Sequence, residues 1–440
     1  MIPSPYRAPW LCQTARVFTQ AGEQLYAVGG VVRNALMNLP ASDVDVCGSA
    51  RPDAVLRLCE NTSVHAVLRA AHFGTVELHA SDATGRHMAE YTTFRVDSYR
   101  CGHKPSAIRF ADRPEADALR RDFSVNALYR ALHADPDEPA EVIDPTGGLA
   151  HLRQRVLHTV TDNPDAVLKD DGLRILRAAR FQAELGLMPT QALLSSATRY
   201  APLLRDIAME RLKDELTKLL LADTRYPTLP RDVPPVTAGL NTLLTVQAWQ
   251  PLFGALLPNP QAIAALGSYR TPDGMPPVAG KLALLFIREQ PQALAQRMQA
   301  LRFSVRETEA ASTALTATHA LWVGKLSLVD ALRLGRPAIT HAVDAFAALT
   351  QAGEPYQAQS AQAQELLAAM QSGIPMSLRA LAVSGDDLLP LCQSLALPAK
   401  VIGATLDALW RATVAGVLPN ERQALLAQAV QLLQGHRAEG

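Results

Sequence analysis

Two aspartates one residue apart, Asp43 and Asp45, are the residues in this sequence best suited to holding a metal. On a strand, side chains at i and i+2 share a face, so a strand over Asp43–Cys47 presents both carboxylates together. Two hard oxygen ligands suit Mg²⁺, which takes one or two carboxylates and completes its shell with phosphate oxygens and water. A third carboxylate nearby would let two ions flank an in-line displacement at phosphorus. Upstream, Gly29-Gly30 before a helix lets backbone N–H groups approach a triphosphate, and the helix N-terminus adds partial positive charge. Arg33, on the first turn, can hold a phosphate as a bidentate partner. Alone, an Asp-x-Asp is more often a solvated strand end and Gly-Gly usually a turn. The specific signal is their order: strand, Gly-Gly, helix with Arg33, then the acidic strand.

A second cluster is Arg120-Arg121-Asp122, followed by Phe123, Val125, Ala127 and Leu128. Charges before an amphipathic helix default to a surface ion-pair cluster. The apolar residues that follow anchor this one in the core, which positions Asp122 as the third carboxylate and Arg121 to meet triphosphate. Glu90, on a neighbouring strand, is the alternative third carboxylate.

The elements that must carry these residues change character along the chain. The first 160 residues alternate β-like runs with helical ones. Gln24–Val32 is apolar, and Thr75–His79 and Met88–Arg95 read as strands. Arg51–Cys59 reads as a helix with proline in its first turn. Val142–Ile143 is a short strand closing at the turn Asp144-Pro145-Thr146-Gly147-Gly148. From about residue 160 the apolar period is helical, broken by the proline-rich Tyr226–Pro235 and again at Gln351–Ser360.

The chain has 440 residues, 48% of them hydrophobic, which allows two to four domains with a sizeable core. Formal net charge is zero, so an RNA partner requires basic residues to be concentrated locally. Cys12, Cys47, Cys59, Cys101 and Cys392 form no Cys-x-x-Cys pair and read as reduced thiols. No leader-like segment and no membrane-length apolar run is evident, so the protein is expected in the cytoplasm.

The order of the first elements resembles the polymerase-β-type nucleotidyltransferases. Four motifs in sequence narrow this to the class II tRNA nucleotidyltransferase and bacterial poly(A) polymerase family. They are Gly29-Gly30 to Asp45, Arg120 to Leu128, Asp144 to Gly148, and Asp170 to Phe181, and they cover roughly the first 185 residues. The chain departs from the family pattern at three places: Asn34 stands for Asp, Ser124 for Thr and Asp170 for Glu. The resemblance implies an α+β fold, with a nucleotidyltransferase head carrying a small mixed sheet and an all-helical neck, body and tail. The expected divisions are 1–150, 151–225, 226–355 and 356–440.

It also implies Mg²⁺-dependent addition of C and A to the 3′ end of tRNA from CTP and ATP, by the two-metal route. A tail resemblance over Leu378–Asn420, with glycines that expose helix N-termini to phosphates, favours this over poly(A) addition. From Pro355 to the C-terminus, five Lys or Arg face six Asp or Glu, so tRNA affinity through the tail should be modest and salt-sensitive. A partial enzyme adding only CC or only A, a non-catalytic RNA-binding protein and a small-molecule nucleotidyltransferase are the other readings. Monomer and homodimer both stay open.

Hydrogen-bonding polarity supplies a way to choose the base. Asp171, Arg174, Arg177 and Arg180 recur every three residues on the expected helix. A carboxylate only accepts and a guanidinium only donates. Cytosine and adenine each offer an amino donor beside a ring-nitrogen acceptor, which Asp171 and Arg174 complement. Guanine and uracil offer the reverse pattern. Arg177 and Arg180 would either hold Asp171 or reach the phosphates.

Overall fold

Period-two burial builds the N-terminal sheet. In the computed structural model, which describes residues 5–40, 43–99 and 105–438, the chain runs α1 (Pro9–Gln20), β1 (Tyr26–Val28), α2 (Gly30–Leu36), β2 (Asp45–Gly48), α3 (Pro52–Cys59), β3 (His65–Ala70), β4 (Thr75–Asp82), β5 (Gly85–Thr93), β6 (Arg95–Ser98), β7 (Ala107–Phe110), α4 (Pro114–Ala118), β8 (Tyr129–Ala131) and β9 (Val142–Ile143). Seven strands form one mixed sheet in the order β3-β4-β5-β2-β1-β8-β9. β2 and β5 are parallel and the other neighbours antiparallel. Successive residues of the central strands feed opposite faces. Ala27 and Val46 pack with Phe18, Val76 and Tyr91, whereas Val28 and Cys47 pack with Phe94, Tyr129 and Val167. With both faces covered, Gln24–Val32 is a continuous apolar run and not an alternating one.

The strands expected at 75–79 and 88–95, the helix at 51–59 and the strand at 142–143 are all found. Two details differ. The acidic strand starts at Asp45, so Asp43 stands ahead of it. β3 has no counterpart in the sequence reading, because His-Ala-Val-Leu-Arg-Ala on this edge has no buried alternation to reveal it.

Helices follow: α5 (Gly148–Gln154), then β10 (Val156–Leu157), α6 (Pro164–Asp170), α7 (Leu173–Leu185), β11 (Met188–Pro189), α8 (Gln191–Tyr200), α9 (Met209–Leu220), α10 (Ala222–Arg225), α11 (Pro235–Thr245) and α12 (Trp249–Phe253). The expected all-helical neck needs one correction, since β10 and β11 pair in parallel over two residues each. The chain divides into two compact units after Ala255, so the proline-rich 226–234 is a loop within the first. α11 comes down on α7 at Gly239, where a Cβ would fall 2.9 Å from the Ala179 carbonyl oxygen.

Another close approach explains the Asp144–Gly148 turn. Asp144 accepts hydrogen bonds from the Gly148 and Leu149 N–H groups at 2.7 and 2.9 Å. A Cβ on Gly148 would lie 2.3 Å from the Ser124 carbonyl oxygen. Gly148→Ala must therefore force two backbone segments apart. It should cost about 1–3 kcal/mol, read as a lower thermal midpoint; an unchanged midpoint would show that this contact yields freely.

Among the described residues, the regular elements of the second unit are all helical. Proline opens several of them, at Pro260, Pro277 and Pro291, where its missing N–H costs nothing. In the tail, one helix begins at Gly385. There Asp387 takes the Ser384 N–H at 2.7 Å and its hydroxyl at 2.9 Å, which fixes the residue that leads into the helix. Asn420 bridges Ala382 N–H and the Ala380 carbonyl, so this motif residue shapes the loop. Cys12, Cys47, Cys59 and Cys392 are free thiols, and Cys101 lies outside the described residues. No described helix is long and apolar enough to cross a membrane.

Candidate active site

A cavity of about 690 Å³ opens in the first unit. Its lining includes Gly29, Gly30, Arg33, Asp43, Asp45, Arg121, Asp122, Asp171, Arg174, Arg177 and Arg180, so the sequence-predicted site residues are brought to one place. The turn from β1 into α2 needs Gly29, whose φ of +73° is costly for other residues. A Cβ there would also stand 3.7 Å from the Arg121 guanidinium.

Asp43 and Asp45 are both exposed at the cavity. The Asp45 carboxyl is pushed up, chiefly by loss of surrounding water; Arg121 pulls it back and Asp43 adds to the rise. The parallel register of β2 and β5 sets Glu90 opposite Asp45. Its carboxyl is raised as well, by burial and then by Asp45 and Glu77. Asp43 and Asp45 together, with the Asp45 carboxyl held above its ordinary range, form an oxygen donor set that a divalent cation relieves.

Asp122 does not complete a trio. Among the described residues no three His, Cys, Asp or Glu side chains are grouped to hold a metal ion. One Asp122 oxygen accepts Arg177 Nε and Nη2 at 2.8 and 2.6 Å. The other accepts the Phe123 N–H at 2.7 Å and Asn126 Nδ2 at 3.1 Å. Burial opposes its charge, but Arg177 and Asn126 hold its carboxyl well below the usual range. It is an ionised anchor for Arg177, which replaces the expectation of a third metal ligand.

The two arginines before it are held by a residue the sequence reading missed. Asp117, on α4, accepts Arg120 Nε at 2.8 Å, Arg121 Nη2 at 2.9 Å and the Tyr129 hydroxyl at 2.8 Å. Burial works against its charge, but Arg121 and Arg120 bring its carboxyl down to about 2. Its spacing to the pair, i,i+3 and i,i+4, was the available signal. Arg33 lies over the Phe181 ring at 5.2 Å and reaches Asn126 and Asn34.

Asp171 sits in a break between α6 and α7 and not on a continuous helix. The break is at Asp171 itself, whose backbone is extended at φ −151° and ψ 105°, and Gly172 beside it admits Leu203, since a Cβ there would fall 2.8 Å from the Leu203 Cβ. One Asp171 oxygen accepts the Leu173 N–H at 3.1 Å and the other accepts Arg211 Nη2 at 2.7 Å. Arg174 donates to the Val167 and Arg120 carbonyls at 3.0 and 2.5 Å. Arg177 and Arg180 share Glu215, at 3.1 and 2.6 Å, and Arg180 also meets Glu184 at 2.7 Å. Arg211 and Glu215 belong to α9, about 40 residues from their partners. Glu184 is i+4 from Arg180 and could have been found; the α9 pair could not.

Residues 25–158 match a Poly A polymerase head domain, 189–231 a probable RNA and SrmB- binding site of polymerase A, and 280–429 a putative tRNA nucleotidyltransferase domain 2. Fold and site together define a nucleotidyltransferase. The CCA-adding enzyme of Geobacillus thermodenitrificans is 30% identical over 94% of both chains. That of Levilactobacillus brevis is also 30% identical, over 93% of this chain and 94% of its own. A crystal structure of the Bacillus stearothermophilus CCA-adding enzyme in complex with CTP superposes with a TM-score of 0.72, 24% identity and 99% and 100% coverage. The chain belongs to the CCA-adding enzyme family.

Proposed function

We propose that the cavity is where this chain adds C and A to the 3′ end of tRNA, without a template, from CTP and ATP and with release of pyrophosphate. The observation that carries the reading is that one cavity brings an acidic pair, Asp43 and Asp45, together with an acceptor–donor pair, Asp171 and Arg174. The donor set at Asp43 and Asp45 fits Mg²⁺. Bound there, the metal would supply charge neutralisation at the attacking and leaving oxygens of the displacement. The chain's own residues do the rest. Gly29 and Gly30 let the backbone approach the triphosphate, and Arg33 and Arg121 supply positive charge beside it. Asp171 accepts from the base amino group while Arg174 donates to the ring nitrogen. Asp122 and Glu215 keep Arg177 and Arg180 in place. We assign catalysis to a head at 1–150, base reading to a neck at 151–225, and tRNA contacts to the body and tail at 226–355 and 356–440. The setting is cytoplasmic, where tRNA and nucleoside triphosphates meet.

Poly(A) addition finds no support in relatives matched over nearly the whole chain. A gel assay tests the reading, using tRNAs that lack the whole CCA end, its last two residues or only the final A, each with CTP, ATP or both. Growth should stop at three, two and one residues, and only when the required nucleotides are present. Extension beyond one A on any of them would overturn it.

A further inference from the structure

Asn34 stands where the resembling family carries aspartate, and its surroundings fix how its amide lies. Arg33 can only donate, and its Nε and Nη2 give hydrogen bonds to Asn34 Oδ1 at 3.2 and 2.9 Å. The Pro40 carbonyl can only accept, and takes Asn34 Nδ2 at 2.9 Å. The amide therefore has one orientation, oxygen toward Arg33 and nitrogen toward Pro40. The same nitrogen donates to the Tyr226 hydroxyl oxygen at 2.8 Å.

A hydroxyl that accepts on one side must send its own hydrogen elsewhere. Tyr226 is 4% exposed and lines the cavity with Arg33, Asp43 and Asp45. The Arg225 guanidinium, another group that can only donate, lies over the tyrosine ring at 5.7 Å from the centroid. Among the described residues, the hydrogen bond found at the Tyr226 hydroxyl is one it accepts, from Asn34 Nδ2. Aspartate at position 34 would reverse this polarity, because a carboxylate has no hydrogen to give and the tyrosine would have to donate to it. We infer that Tyr226, oriented by Asn34, is a substrate-binding residue that donates its hydroxyl hydrogen to a phosphate oxygen in the cavity. This rests on the cavity being the transfer site. The phosphate belongs either to the nucleoside triphosphate or to the last phosphodiester of the tRNA.

Steady-state kinetics on the full chain separate these possibilities, with KM measured for CTP, ATP and tRNA. A hydrogen bond to a charged phosphate is worth about tenfold in binding. Tyr226→Phe should raise one KM by that factor, with a smaller fall in kcat. A rise in the nucleotide KM identifies the triphosphate, and a rise in the tRNA KM identifies the acceptor strand. Asn34→Asp should raise the same KM. Adding Tyr226→Phe to it should change that KM less than about twofold, since the hydroxyl is already engaged by the carboxylate. The inference is overturned if Tyr226→Phe leaves every KM unchanged, or costs the same with and without Asn34→Asp. Should Tyr226→Phe melt below the assay temperature, Asn34→Asp alone decides, and an unchanged KM for it sinks the idea. A folded Asp43→Ala chain that still transfers nucleotides would instead remove the transfer-site reading.

Discussion

Asp43→Ala and Asp45→Ala will each lower kcat for nucleotide transfer by about a thousandfold or more without loss of folded structure. The magnitude follows from losing a metal-binding oxygen that serves developing charge, an effect of several kcal/mol, with each 1.4 kcal/mol worth a factor of ten. The stability side follows from the site itself. The Asp45 carboxyl opens on the cavity, but the protein crowding it displaces enough water to hold it above its ordinary range, against the pull of Arg121. The folded protein therefore disfavours its charge relative to water, and a neutral alanine removes that cost. Melting curves of metal-free protein should show a midpoint that is unchanged or higher. Added Mg²⁺ should raise the midpoint of the unaltered chain and not those of the variants, because a ligand stabilises only the state that binds it. Near-normal turnover by well-folded Asp43→Ala would sink the metal-site assignment.

The same residues show what could be read from sequence and what could not. The Gly-Gly turn, the acidic pair and the arginines of α7 are local patterns, and each lines the cavity. The error over Asp122 arose because type and spacing cannot say which way a carboxylate points. Its fate depends on Arg177, 55 residues away. The supports on α9 were hidden for a related reason. Glu215 is a buried acid on an otherwise apolar face, and its role appears only when α7 is laid against it. Asp117 and Glu184 were within local reach, as i,i+3 or i,i+4 partners of arginines already singled out. β3 escaped because it lies on the sheet edge and buries no alternating face. Position 34 is a different case. The Asn for Asp departure was plain, but its consequence needed Tyr226, at a separation of 192 residues.

The surroundings of Asp171 also decide how base selection should be tested. Exchanging Asp171 and Arg174 would set a new arginine against Arg211 and leave the Val167 and Arg120 carbonyls without their donor. Lost activity would then say little about pairing. Asp171→Asn keeps the shape and changes only the polarity. Arg211 donates only, so it will hold the amide oxygen, and the amide nitrogen takes the place of the oxygen that now meets Leu173 N–H. Two donors cannot satisfy each other there, so the hydrogens of the N–H₂ group are left for the cavity and face the base as donors. Cytosine and adenine then present an amino group to another donor, while the uracil and guanine carbonyls find a partner. Arg174 still opposes the ring N–H of uracil and guanine, so selection narrows without inverting. The ratio of kcat/KM for CTP over UTP should fall by about a hundredfold, mostly through slower C addition. Single-nucleotide incorporation with each of the four triphosphates measures it, and an unchanged ratio in a folded Asp171→Asn chain would show that this carboxylate does not read the base.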